Sequence, residues 1–437
     1  MAASKIKQIK ARQILDSNGR PAVEVDIITE SGLLGRAGAS TGTSVGINEA
    51  FLLRDNDPNV FGGLSVFKAI ENIEKIIAPA LIGMDVFEQE KIDRTMIELD
   101  GTRLKTNLGG NGIYAISVAT ARAASAVMGK PFYLAMAKQP LTHIFTPASN
   151  IVNGGALKDK TLAFQEFMII PYDVEDMNQA VRVIVEVFLQ VGEIIKKTSG
   201  QKAAMGNYSG HGAPSDDPFE VMDIICRAVS DLGYENNVCY ALDCASSEFY
   251  DKQEKAYKYR GSLISRDDLI KILAELANKY PIAFIEDALE EEDFEGYKLA
   301  IKRISCAIIG DDLLCTSLDR VKKAVEIKAT HGMIFKPNQA GTLTEALEAA
   351  HYVMEQDLLV IASGRAGGVA DPPEKELAIA LGLHISKTGA PRSGNRAEGF
   401  NVLMRTAEKH FLPISNVRNI SQFSHLNSKF NGTKQRI

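Results

Sequence analysis

No apolar stretch in the 437 residues approaches the roughly 20 that a membrane-spanning helix needs, and the opening MAASKIKQIKARQ has no apolar segment of the kind a signal peptide carries. Those absences predict a cytoplasmic protein with no membrane partner. Cysteine is scarce: Cys226, Cys239, Cys244, Cys306 and Cys315 all fall in the second half, are odd in number and lack the short paired spacing of a zinc site. They read as reduced core residues. There is no basic run. A net charge of −6 with Lys and Arg scattered along the chain offers no face for a phosphate backbone, which argues against a nucleic-acid partner. What remains is ordinary globular composition, 45% hydrophobic and 24% charged, at a length that accommodates two or more domains.

Residues 5–39 read as a strand meander, KIKQIKARQILD, PAVEVDIIT and LLGRAGAS, with turns at Asn18-Gly19 and Ser31-Gly32. Apolar residues spaced by three and four then predict helices from Leu64 and from Asn111, giving an α+β unit over 1–133 that ends near GKPFY. From 134 to 437 the pattern changes. Short apolar runs (YALD, IAFIED, AIIGDD, GMIFKP, LLVIAS, LHISKT) alternate with amphipathic helical stretches, and their ends fall at Asp243, Glu286, Asp311, Lys336, Arg365 and Lys387. Serial βα repetition favours a (β/α)₈-type barrel over an open doubly wound sheet, and in either the site lies at the carboxyl ends of the strands.

A single acid at a strand end reads first as a helix cap or a solvated residue. Three around one mouth, Asp243, Glu286 and Asp311, repel one another unless a cation sits among them. Oxygen ligands without histidine or thiolate suit Mg²⁺ or Mn²⁺ rather than zinc. The next strands end in Lys336 and Lys387; each could pair with an acid, or serve as an amine of lowered basicity. Acids followed by lysines are the layout expected where a metal holds a substrate carboxylate while an amine removes the adjacent proton.

The ordered blocks ARQILDS, PAVEVDI, GASTG, FEQEKIDRTMIELDGT, NIVNGG, LAFQEFMI, ALDCASSEFY, YPIAFIED, GDDL, KPNQAGTLTEALEA and SKTGAPRSG resemble those of the enolase family, the phosphopyruvate hydratases, over nearly the whole chain; the tail after about residue 410 matches poorly. The resemblance implies a small α+β cap before a modified barrel and Mg²⁺ as cofactor. It implies Asp243, Glu286 and Asp311 as metal ligands, Lys336 as base, Lys387 as a holder of the substrate carboxylate and Arg365 as the phosphate grip. Ser40 falls on the loop serine that joins a second Mg²⁺, and Gln165 and Glu166 on the polar pair beside the leaving group. A small anionic substrate carrying a carboxylate and a phosphate or phosphonate is implied as partner, and a homodimer or octamer as assembly.

Departures from the family pattern cluster on one side of the chemistry. Leu157 stands for a loop histidine, Ser209 for the acid glutamate within Tyr208-Ser209-Gly210-His211, and Gly364-Arg365-Ala366 for a histidine-arginine-serine trio. His211 could enter the vacated acid position, and Lys158 and Lys160 could supply cations beside the opened phosphate pocket. Asn18-Gly19-Arg20 replaces Arg-Gly-Asn and removes an arginine that supports the family's dimer contact. Loss of a positioned general acid costs about 10² to 10⁴ in rate. The metal and base side is complete, so the reading is a proton-abstracting enzyme with an altered substrate or second half-reaction; the alternatives are an ordinary phosphopyruvate hydratase and an inactive paralogue retained for binding.

Overall fold

The computed structural model describes residues 3–42, 46–155, 162–206 and 209–426. Strands β1 (Ile6–Leu15), β2 (Pro21–Thr29) and β3 (Leu34–Gly38) form an antiparallel sheet in the order β1-β2-β3. Gly19 and Gly32, at φ +72° and +81°, supply the left-handed residues of its two turns. The helix Gly110–Met128 lies on this sheet with residues of every face buried. Its approach is close enough that a Cβ on Gly35 would stand 2.1 Å from the Ala119 carbonyl oxygen, so the glycine in β3 is what lets the helix backbone settle there.

The second part is built on β4 (Thr146–Asn153), β5 (Glu166–Pro171), β6 (His211–Gly212), β7 (Val238–Asp243), β8 (Tyr250–Asp251), β9 (Ala256–Tyr259), β10 (Ser262–Ile264), β11 (Ile282–Glu286), β12 (Ala307–Gly310), β13 (Gly332–Phe335), β14 (Leu359–Ser363) and β15 (Ile385–Lys387). Strands β4, β5, β7 and β11 through β15 follow one another around a ring, and β15 pairs back onto β4. The sheet is therefore a closed eight-stranded barrel, and the open-sheet alternative falls. It is modified in its first turn: β5 runs antiparallel to both β4 and β7, whereas the remaining pairs are parallel. The long step between Asp243 and Glu286 is accounted for by a small separate sheet, β10-β9-β8, followed by the helix Arg266–Lys279.

Helix starts follow the sequence chemistry. Asp176, Asp217, Ser265, Asp293 and Thr342 each accept a backbone N–H of the helix they precede, satisfying a donor that the first turn leaves unpaired. None of the five cysteines, all of which are described, forms a disulfide. No described helix is long and apolar enough to cross a membrane.

Two cores result. The larger joins the cap to the layer between barrel and helices. The smaller fills the barrel itself with Met168 and Ile170, Cys239 and Ala241, Phe284, Ala307 and Ile309, Ile334, Leu359 and Ile361, and Ile385. Its lower end is closed by the chain's own tail: Val417, Ile420, Phe423 and Leu426, one residue in three, belong to this interior cluster, and the Phe423 ring stacks 6.4 Å from that of Phe284. Residues 417–426 thus plug the amino-terminal end of the barrel.

Candidate active site

The pleat decides what the other end holds. Side chains alternate across a strand with period two, so the inward series 170, 168 in β5 continues to Glu166; 239, 241 in β7 to Asp243; 284 in β11 to Glu286; 307, 309 in β12 to Asp311; 334 in β13 to Lys336; and 385 in β15 to Lys387. Register completes the assembly. Glu166 stands opposite Asp243, and Asp243 opposite Glu286, so three carboxylates sit side by side on adjacent strands.

Lysine ammonium groups hold these acids together. Lys387 Nζ lies 2.8 Å from Glu166 Oε2, 3.0 Å from Asp243 Oδ2 and 2.6 Å from Glu286 Oε2. Lys336 Nζ pairs with Asp311 Oδ2, whose other oxygen accepts from Gln339 Nε2 at 2.9 Å. Gln165 Nε2 donates to Asp243 Oδ2 at 3.2 Å. With every carboxylate ionised, Glu166, Asp243, Glu286 and Asp311 against Lys336 and Lys387 leave an excess of negative charge in a site from which water is largely excluded. The consequence is visible in proton affinity. Burial pushes Glu286 well above the ordinary carboxylate range, aided by the Asp243 charge, and burial likewise raises Glu166. For Asp311 burial acts in the same direction, but the adjacent Lys336 ammonium more than reverses it and leaves Asp311 below its usual value.

The donor set fits a hard divalent cation. It is all oxygen, and the fully buried Glu286 presents Oε1 with no hydrogen-bond partner, an arrangement that buried polar atoms avoid unless something completes it. Among the described residues, the three carboxylates whose oxygens lie within 4.8 Å of one another are Asp287, Asp311 and Asp312, not the expected Asp243, Glu286 and Asp311. Asp311 is common to both sets, and the Lys387 ammonium sits between Asp243 and Glu286. Asp287 is largely committed: its oxygens accept the backbone N–H groups of Asp311 at 2.9 Å and Asp312 at 2.8 Å and the Tyr297 hydroxyl at 3.3 Å. It pegs the loop that carries Asp311.

On the other flank Arg365 is buried, and its Nη1 lies 2.7 Å from Glu49 Oε2. Glu49 also accepts from the Gly46 N–H at 2.9 Å and reaches Gln339 Nε2 at 3.4 Å. The sequence reading missed Glu49, Gln339 and Asp287. The GINEA segment gives no signal for Glu49, because its role depends on the cap loop reaching over the barrel; for Asp287 the signal in the sequence is its place beside Glu286. Ser40 is buried, with Oγ accepting the Val369 N–H at 3.4 Å.

His211 is not brought to the site. It lies in β6, its ring stacks 4.2 Å from that of Phe188, and Nε2 bonds the Phe188 carbonyl oxygen at 2.9 Å. The imidazole thus faces the helix Met177–Ser199, and burial lowers its proton affinity. This corrects the expectation that His211 fills the acid position. Ser209 adopts φ +64° and its carbonyl oxygen accepts from Arg392 Nε at 3.0 Å, so Arg392 fixes that turn. Leu157, Lys158, Lys160 and Tyr208 lie outside the described residues.

Comparison with known proteins is consistent with this architecture. Residues 6–136 match the family model "Enolase, N-terminal domain" and residues 142–412 match "Enolase, C-terminal TIM barrel domain". The chain is 40% identical over 409 residues to the enolase of Methanopyrus kandleri, covering 92% of this chain and 96% of that protein. It is 39% identical over 417 residues to the enolase of Methanococcus aeolicus, covering 95% and 98%, and 38% identical over 409 residues to that of Thermococcus kodakarensis, covering 92% and 95%.

Proposed function

Because the chain belongs to the enolase family, a family of lyases, we propose a Mg²⁺-dependent enzyme that removes the proton α to the carboxylate of a small phosphorylated or phosphonylated acid, with an altered substrate or second half-reaction. The observation that carries this reading is the convergence of Glu166, Asp243, Glu286, Asp311, Lys336 and Lys387 on one barrel mouth through the inward alternation of their strands.

Asp243, Glu286 and Asp311 would hold the ion, with the unpartnered Glu286 oxygen as one donor. When bound, Mg²⁺ supplies the positive charge that stabilises negative charge developing on the substrate carboxylate. Lys336, paired here with Asp311, would take the α-proton as the deprotonated amine. Lys387 holds the substrate carboxylate with the ammonium that now spans three acids. Arg365 binds the phosphoryl or phosphonyl group, exchanging Glu49 for it, and Ser40 and Gln165 line the approach. Glu166, opposite Asp243 in the register of β5 and β7, would serve on the leaving-group side.

The second half-reaction is where this chain differs. At the position of the family's acid glutamate stands Ser209, whose hydroxyl is no acid near neutral pH, and His211 is engaged elsewhere. Expulsion of hydroxide then proceeds about 10² to 10⁴ more slowly, or the physiological substrate carries a group that leaves without that help. A second reading, ordinary conversion of 2-phosphoglycerate to phosphoenolpyruvate, is favoured by the 40% identity to the enolase of Methanopyrus kandleri over 92% of the chain.

Proton NMR in deuterated buffer with Mg²⁺ tests the reading. Loss of the α-proton signal from 2-phosphoglycerate or a phosphono acid, abolished by Lys336→Ala, is expected. No exchange with any member of such a panel would remove it. Ultraviolet absorbance separates the two readings, since phosphoenolpyruvate forming as fast as the proton exchanges would establish the second.

A further inference from the structure

We propose that Arg20 is a positioning residue for the anion-binding flank of the site: its guanidinium ties the first hairpin turn to Thr41 and so fixes the Ser40–Gly42 segment against the loop that carries Arg365. The inference rests on the reading of Arg365 as the phosphate-binding group. By resemblance, position 18 is where the family places an arginine at a subunit contact. Two residues on, this chain puts an arginine to use within itself.

Asp16 is the anchor. It is buried, and its Oδ1 accepts the backbone N–H groups of Asn18 and Arg20, both at 2.8 Å. Its Oδ2 takes Arg20 Nε at 3.0 Å and the Thr41 hydroxyl. Arg20 Nη2 donates to Thr41 Oγ1 at 2.7 Å. The Thr41 hydroxyl therefore accepts from Arg20 while donating to Asp16, which leaves its rotor no freedom. Burial works against ionisation of Asp16, but the Thr41 hydroxyl, the two backbone N–H groups and the Arg20 charge outweigh it and keep this carboxyl below its ordinary value.

The same segment clasps the loop after β14. Thr41 N donates to the Gly367 carbonyl oxygen at 2.9 Å, Ser17 N to that of Gly368 at 2.8 Å, and Ser17 Oγ to that of Ala366 at 3.0 Å. Contact is tight enough to dictate residue type. A Cβ on Gly367 would stand 2.2 Å from Arg20 Nη2 and 2.4 Å from Thr41 Oγ1, and one on Gly42, at φ +85°, would stand 2.3 Å from Arg365 Nη2. Arg20, Thr41, Gly42 and Arg365 are thus consecutive links. Glu49 holds Arg365 from elsewhere in the cap. An arginine is required at position 20 because its fork reaches Asp16 and Thr41 together, which a lysine's single ammonium on a flexible stem does not reproduce.

The test uses the full-length protein with Mg²⁺, inorganic phosphate as the calorimetric probe and α-proton exchange of 2-phosphoglycerate as the kinetic one, with Arg365→Met as the reference for lost phosphate binding. Arg20→Met is expected to weaken phosphate about tenfold, and Arg20→Lys about threefold, with KM for exchange rising in parallel while the saturated rate stays within about twofold. Thr41→Val should match Arg20→Met, and the double variant should be no worse than either single one, because both break the same link. Arg20→Met binding phosphate like the wild type, whatever its thermal midpoint, would overturn the assignment. So would additive losses, a loss confined to the saturated rate, or a wild type that binds no phosphate. A wild type that binds phosphate through Arg20 yet exchanges no α-proton would leave this inference standing and defeat the proposed reaction.

Discussion

The two ends of the barrel are made by the same strands with opposite chemistry. At the amino-terminal end the inward positions are Ile170, Cys239, Ala307 and Leu359, and the tail adds Val417, Ile420, Phe423 and Leu426, so that end is dry and close-packed. At the carboxyl-terminal end, four residues along from Ile170, Cys239 and Ala307, stand Glu166, Asp243 and Asp311, and Lys387 ends the row of Ile385, so buried charge replaces buried hydrocarbon. Burial contributes to stability at the first end and works against it at the second, where Glu286 is pushed toward its protonated form and keeps an oxygen without a partner. Stability and chemistry are thereby separated along the barrel axis, and substitutions at the two ends should fail in different assays.

The largest contrast comes from the base. Lys336→Ala should lower α-proton exchange by about 10² to 10⁴ while the fold survives, since the removed ammonium leaves Asp311 with Gln339 as a partner; NMR exchange alongside circular dichroism checks both halves. Phe423→Ala is the counterpart at the plug. Removing a fully buried ring stacked on Phe284 should cost about 3 to 5 kcal/mol in denaturant unfolding, with the exchange rate per folded molecule unaltered. If Phe423→Ala changes the exchange rate as strongly as the stability, the two ends are not separable.

Glu286→Gln sharpens the comparison from the other side. Deleting one of the negative charges around Lys387 should raise metal-free stability by about 1 kcal/mol, because a buried charge in excess is worth removing, and should abolish the rise in thermal midpoint that Mg²⁺ gives the wild type. A variant that is less stable without metal, or is still stabilised by Mg²⁺, would show that Glu286 is a structural ion-pair partner and not a ligand.

The smallest expected effect is at His211, which packs against the helix layer and not in the mouth. His211→Phe should keep α-proton exchange within about twofold. Since burial depresses the folded-state proton affinity of His211, the wild type keeps that share of its stability above the imidazole's ordinary value of 6.5 and loses it as pH falls further, while the unfolded chain takes up a proton. The variant should lose less stability between pH 7 and pH 5, as thermal melts would show. A large fall in exchange for His211→Phe would return the imidazole to the chemistry.

Much of this was already written in the residue order. Period-three and period-four spacing placed the helix at Gly110–Met128, short apolar runs placed β7 and β11 through β15, and charged residues at their ends marked Asp243, Glu286, Asp311, Lys336 and Lys387, because secondary structure and strand ends depend on local pattern. What the linear order could not decide was direction and distance. Runs buried on both faces carry no alternation in hydrophobicity, so which residues point into the barrel was settled by closure of the ring and its register. Only the folded chain put the Lys387 ammonium between Glu166, Asp243 and Glu286, turned His211 onto Phe188, and brought Glu49 and the Arg20–Thr41 link to Arg365 from loops of the cap. Those contacts join residues up to hundreds of positions apart, and no local pattern encodes a contact whose two halves meet only after both parts of the molecule have closed.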